Sequence, residues 1–158
     1  MSKYDDASWH YGGDFPEGLP EKNGATHTGM FLNWCIHKNF ISEELKEDGE
    51  DEIEQLKRRE ITGADFIMDF MDGKFSEHDL NVLGNAFAKD YYKDDTDFGN
   101  RYSSFADDYV NIFDAKAEEN NYEYETFYHI EDNYDNYDLM KLAIDYRYEE
   151  WKEFRKLN

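Results

Sequence analysis

Five side chains near the start of the chain carry the types that could do chemistry together. Asp5, Asp6, His10 and Asp14 lie close in sequence, and His27 follows. Carboxylates and imidazoles together suit a divalent cation. A small metal-dependent hydrolase could draw on Asp5, Asp6, Asp14 and His27. Their spacing matches no known ligand pattern, however, and the same residues serve structure equally well. Asp6 and Asp14 are natural turn caps, and His27 can hydrogen-bond a loop to a helix. The sequence alone therefore assigns no metal ligand, no cofactor and no catalytic residue.

Other constellations are weaker still. Asp94, Asp95 and Asp97 resemble the opening of a calcium loop, but Tyr102 and Ser103 follow where its closing Glu should stand. Ser8 and His10 are near one another without a Gly-x-Ser-x-Gly elbow. Gly12-Gly13 is followed by Asp14, which would repel a phosphate. Cys35, the single cysteine, sits in the apolar run from Gly29 to Ile36 and reads as a buried, inert thiol.

What remains is acid interleaved with aromatics. The chain carries 38 Asp+Glu against 17 Lys+Arg, a net charge of −21 over 158 residues, yet 18% of it is aromatic. A disordered acidic tail would lack those aromatics, so a folded domain with a strongly negative surface is expected. Such a surface repels nucleic acid and anionic membranes and attracts basic proteins. Tyr and Trp make good interface anchors. The candidate partner-binding residues are Tyr91, Tyr92, Asp94, Asp95, Asp97, Tyr122, Glu123, Tyr124, Tyr128 and Tyr134. For residues 1–24, core packing is the expected use of Tyr4, Trp9, Tyr11 and Phe15.

The charge also carries a first prediction. Repulsion among unpaired surface acids should destabilise the compact state, and added salt should screen it. Melting temperature is expected to rise from low to moderate salt. A melting temperature indifferent to salt would count against a large unpaired acidic surface.

The elements that must position these residues read as helices. Glycines and prolines through Pro20 predict an ordered but non-helical segment over residues 1–24. A helix is expected from about Ala25 to Asn39, apolar nearly all round and so central, with Thr26 or Asn23 as its cap. Ser42 opens a second element with acids first and Lys57-Arg58-Arg59 last, as the helix dipole favours. Thr62 with Asp65, and Ser76 with Asp79, have capping-box spacing. Leu80, Leu83, Phe87 and Tyr91 form one helical stripe, and Phe98, Tyr102, Phe105, Tyr109 and Ile112 another. Gly84 inside a helix suggests close packing. Residues 118–137 read as a loop with a helical turn. A last helix, from about Tyr137 to Leu157, has Met140, Ile144, Tyr148 and Trp151 on one stripe, widened by Leu139, Leu142 and Tyr146. The fold class expected is mainly α: a compact helical bundle, one acidic domain over residues 1–158, with an ordered non-helical N-terminal segment.

The string from Tyr4 to Pro16 (YDDASWHYGGDFP), with Gly24–Leu32, Ile61–Asp65, Gly84–Ala88 and Tyr91-Tyr92, resembles a family of small acidic bacterial domains of unknown function. The resemblance runs over about residues 3–110 and again near Trp151. Some small acidic domains of this kind are immunity partners of toxins. The resemblance implies a binding role and carries over no catalytic residues.

The functional expectation is thus an immunity or inhibitor protein that binds and blocks a basic cognate toxin. It would have no enzymatic activity and would contact neither nucleic acid nor membrane. A nucleic-acid mimic that inhibits a DNA- or RNA-binding protein is the first alternative, and the metal-dependent hydrolase the second. The opening residues lack the apolar core of an export signal, and no apolar stretch approaches the ~20 residues that span a bilayer, so a cytoplasmic protein is expected.

Overall fold

The computed structural model describes residues 2–12 and 15–157. The chain is mainly helical. It opens with β1 (Lys3–Asp6) and α1 (Ala7–Tyr11), passes through a 3₁₀ turn at Glu21–Ala25, and enters α2 (Thr26–His37). Next come α3 (Glu43–Asp48), α4 (Glu50–Lys57), α5 (Gly63–Phe70) and β2 (Lys74–Ser76). The rest comprises α6 (Val82–Tyr91), α7 (Asp97–Arg101), α8 (Phe105–Glu119) and α9 (Tyr134–Phe154). Two further 3₁₀ turns lie at Glu77–Asp79 and Phe127–His129.

The N-terminal segment opens on a strand, in keeping with the expected ordered non-helical start, but residues 1–24 also hold one short helix, α1. The glycine and proline breakers start only at Gly12, which leaves room for a helical turn before them. Asp6 starts that turn, its side chain accepting from the Ser8 amide at 3.0 Å. Ahead of it, β1 pairs antiparallel with β2, Asp5 opposite Phe75 and Asp6 opposite Lys74. The register slips between Lys3 and Asp5. This irregularity breaks the strand's alternation, so Tyr4, Asp5 and Asp6 are all buried in succession. A regular strand would have sent Tyr4 and Asp5 to opposite faces.

α2 is buried on every side from Thr26 to Ile36. Neither Thr26 nor Asn23 caps it; the preceding 3₁₀ turn leads directly into it, and Asn23 instead donates to the Tyr128 carbonyl at 2.9 Å. Phe31 is ringed by Trp34, Phe75, Phe87, Tyr91, Tyr92 and Phe105 at centroid distances of 4.9 to 6.4 Å. α2 crosses α5 where Gly29 meets Gly63, backbone against backbone. Cys35 lies in this core, fully buried, and burial pushes its thiol up.

Local signals elsewhere behave as the sequence leads one to expect. Ser42 caps α3, and Thr62 and Asp65 form a reciprocal capping box on α5. Ser76 and Asp79 do the same on the short turn after β2. Gly84 packs against the Phe40 backbone, which a Cβ there would strike. Three boundaries differ. Gly49 separates α3 from α4. Tyr102 and Ser103 end α7, and Ser104 caps α8 anew, so the stripe from Phe98 to Ile112 runs over two helices. α9 begins at Tyr134 because Asn133 caps it, accepting from the Asn136 amide at 2.8 Å.

α9 buries Met140, Ile144 and Trp151 against the core. Its Leu139, Leu142 and Tyr146 do not widen that face as expected. They point outward, Leu142 and Tyr146 being 68% and 64% exposed. Asp90 anchors the far end of α9 by accepting from the Trp151 indole at 2.8 Å and from Arg155 twice at 2.7 Å. Among the described residues no helix is long and apolar enough to cross a membrane.

Candidate functional site

Two depressions gather the residues that matter. The first lies at the N-terminal end of the fold. The strand irregularity turns Asp5 inward, α1 carries His10 back over it, and the first turn of α2 presents His27. Asp5 Oδ1 lies 2.8 Å from His10 Nε2, and Oδ2 lies 3.0 Å from His27 Nε2. Oδ2 also accepts from the Tyr92 hydroxyl at 2.7 Å and the Thr28 hydroxyl at 3.1 Å. The Asp6 amide donates to Oδ1 at 2.9 Å. His10 Nδ1 sits 2.8 Å from the Tyr128 hydroxyl. The two imidazole rings meet edge to face with centroids 4.9 Å apart.

Burial alone would raise the Asp5 carboxyl. Hydrogen bonds from His10 and His27, the nearness of His27 and the Tyr92 hydroxyl outweigh it and hold the group well below the usual carboxylate range. Burial first, and then the Asp5 charge, push the Tyr92 phenol up. His27 Nδ1 is buried with no hydrogen-bond partner among the described residues. One nitrogen of each imidazole faces the carboxylate, and these three ligand atoms all lie within 4.8 Å of one another. A depression of about 620 Å³ opens beside them, lined by Trp9, Lys93, Asp94, Phe105, Phe127 and Tyr128 among others.

The ligand grouping expected from sequence is therefore redrawn. Asp6 is buried but belongs to a different network, held by Lys3 at 2.7 Å and by the Ser8 amide and hydroxyl. Asp14 lies outside the described residues, as does Gly13. His10 takes the place at Asp5 that Asp6 was expected to take. Its signal was its position on the same helical turn as the Asp6 cap. Trp9, expected in the core, is 57% exposed at the rim of the depression, with the Lys3 ammonium 5.7 Å from its ring.

The second depression lies at the end of α8. Asn120 ends the helix, and Asn121 adopts a left-handed φ of 59°, which asparagine tolerates well. The chain doubles back, and the Tyr122 amide donates to the Ala117 carbonyl at 2.9 Å. Tyr122 and Tyr124 then meet edge to face, centroids 5.2 Å apart and hydroxyls 3.1 Å apart. Burial, the hydrogen bond with Tyr122 and the nearby Glu131 raise the Tyr124 phenol. The groove there measures about 740 Å³ and is lined by Asp114, Ala117, Glu118, Asn121, Tyr122, Glu123 and Tyr124. Asp114, Glu118 and Glu123 are exposed and form no ion pair with the described residues.

The ten partner-binding candidates do not form one surface. Tyr91 and Tyr92 are core residues, because α6 turns both inward. The Tyr91 hydroxyl donates to Asp108 at 2.6 Å, and Tyr92 binds Asp5. Their acidic sequence neighbours suggested a surface that the helix does not present. Tyr134 is half-buried and donates to the Ile61 carbonyl at 2.6 Å. Tyr128 belongs to the first depression. Asp94, Asp95 and Asp97 are exposed around the start of α7. Tyr92, Asp94 and Tyr128 line the first depression, and Tyr122, Glu123 and Tyr124 the second.

Fold and sites together define a small, acidic, mainly helical domain that carries two depressions. The chain belongs to the family described as a domain of unknown function, DUF7832, which it matches over residues 3–126. No curated protein and no solved structure matches it.

Proposed function

We propose that this chain is an inhibitory binding protein of the immunity type, acting in the cytoplasm on a basic toxin or effector and doing no chemistry of its own. The observation that carries this reading is the groove at Tyr122 and Tyr124. Asp114 and Glu118 project from adjacent turns of α8, a like-charge spacing that costs an isolated helix a few tenths of a kcal/mol. With Glu123 they surround two phenol rings. A guanidinium fits that chemistry on both counts, because it pairs with carboxylates in a fixed fork and stacks on aromatic faces. The remaining negative charge would speed the approach of a basic partner, and the groove would hold one of its arginines.

A second reading gains from one finding. The aromatic side chains that argued against a nucleic-acid mimic are mostly in the core, so much of the surface is carboxylate. Glu47, Glu50, Asp51 and Glu54 along α3 and α4 are all exposed.

One experiment separates the two. The tagged protein would capture partners from its native organism at low and high salt. Two variants would run beside it: Asp114→Lys/Glu118→Lys/Glu123→Lys, and the charge-matched Glu47→Lys/Asp51→Lys/Glu54→Lys. The inhibitor reading expects one basic protein, held at high salt, lost by the groove variant and kept by the other. Equal loss from both variants, with full release at high salt, would replace the groove with the mimic.

A further inference from the structure

We propose that Asp5, His10 and His27 form a three-ligand site for a divalent transition metal ion of the zinc class. The proposal is independent of the groove at Tyr122.

The argument begins with donor type. Two imidazole nitrogens and one carboxylate oxygen make a mixed set that suits zinc and its first-row neighbours. Calcium and magnesium prefer all-oxygen shells. The ligands come from β1, α1 and α2, three elements already fixed by the core, so little ordering is left for the ion to impose. Spacing agrees. Ligand atoms around a tetrahedral zinc stand roughly 3.3 Å apart, given bonds of about 2.0–2.1 Å. The two histidine nitrogens here lie 2.8 and 3.0 Å from different oxygens of Asp5, and with one ligand atom from each residue the three fall within 4.8 Å of one another, so modest side-chain rotation would bring them to that spacing around one ion.

The surroundings supply part of what a metal site needs beyond its ligands: His10 and Asp5 are held by further groups, while His27 Nδ1 has no hydrogen-bond partner among the described residues. Metal-binding histidines commonly hydrogen-bond through their second nitrogen, which fixes the ring. His10 Nδ1 has the Tyr128 hydroxyl at 2.8 Å for that role. The carboxylate is oriented by Tyr92 and Thr28, which approach Oδ2. Three protein ligands leave a fourth position, as catalytic zinc sites do. The adjoining depression, with His10 and Asp94 on its wall, gives a small ligand or water a route to that position.

The test uses the full chain, stripped with chelator and then titrated with zinc by calorimetry. One equivalent should bind and survive gel filtration. His10→Ala should lose that equivalent while keeping its circular dichroism, and the exposed His78→Ala should keep it. Tyr128→Phe should weaken binding by about tenfold or more. Cobalt(II) gives a reading on the unaltered protein, where one equivalent should produce the strong visible bands of a low-coordinate site, abolished by zinc. Weak binding of several equivalents, indifferent to His10→Ala, would overturn the proposal. So would a cobalt spectrum no different from that of the aqueous ion.

Discussion

Gly29→Ala is expected to destabilise the domain by at least the upper end of the ~1–3 kcal/mol typical of overpacked cores. Two effects oppose one another here. Alanine is a better helix former than glycine by about 1 kcal/mol, so in an open helix the change would stabilise. Gly29 is not open. A Cβ there would lie 2.5 Å from the Gly63 carbonyl carbon and closer still to the Ala64 amide nitrogen. Both obstacles are backbone, which cannot rotate aside as a side chain can. The helices would have to separate, opening the packing around Phe31 and Phe66. Gly63→Ala meets the same limit from the other side, its Cβ 2.8 Å from the Gly29 Cα. The pair should be strongly non-additive, since either methyl already forces the helices apart. Gly12→Ala, where a Cβ meets nothing within 4 Å, is the control. Urea denaturation gives the comparison. A Gly29→Ala protein as stable as its parent would show that the α2–α5 crossing yields easily.

Arg147→Met is the second change with a large expected effect. Asp108 is almost fully buried, and Arg147 meets it with two donors, Nε at 3.0 Å and a terminal nitrogen at 3.1 Å. Tyr91 and Ser103 complete the shell at 2.6 and 2.7 Å. Removing one partner of a buried pair costs about 3–5 kcal/mol, because the other charge is left without compensation. The Arg147 side chain is 23% exposed, so water can partly replace it, which places the expected loss near 3 kcal/mol. Neutralising both partners, as Arg147→Met with Asp108→Asn, should recover part of that loss. If the double variant were less stable than Arg147→Met alone, the pair would not be acting through charge.

What the sequence revealed divides by range. Ser42, Thr62 with Asp65, and Ser76 with Asp79 act within one helical turn, and each was readable from spacing alone. So was the all-round burial of α2, because few polar residues interrupt it. Long-range pairing was not readable. Nothing in Lys3–Asp6 announces Lys74–Ser76 as its partner strand, or the irregularity that buries Asp5. Periodicity showed that α9 has more apolar residues than one stripe holds. It could not show that Leu142 and Tyr146 face outward, since that depends on where α2 and α8 end up. The N-terminal site was half legible. Residue types singled out Asp5, His10 and His27 alongside Asp6 and Asp14, but only the backbone shows that Asp5 meets the two imidazoles while the likewise buried Asp6 turns to Lys3 and Ser8.

The way the N-terminal strand is secured bears on how the chain matures. Asp5 finds its partners at Tyr92 and, through His10, at Tyr128, while β1 needs β2. Trp34 waits for Asp145 and Tyr148 on the last helix. During synthesis β1 and Asp5 are therefore locked late, since the segments that carry Phe75, Tyr92 and Tyr128 emerge well after them. Closure over such separations is slow compared with local helix formation. Early helices such as α2 would meanwhile expose their apolar surfaces, and the dense negative charge of the nascent chain would keep neighbouring chains apart until those distant contacts form.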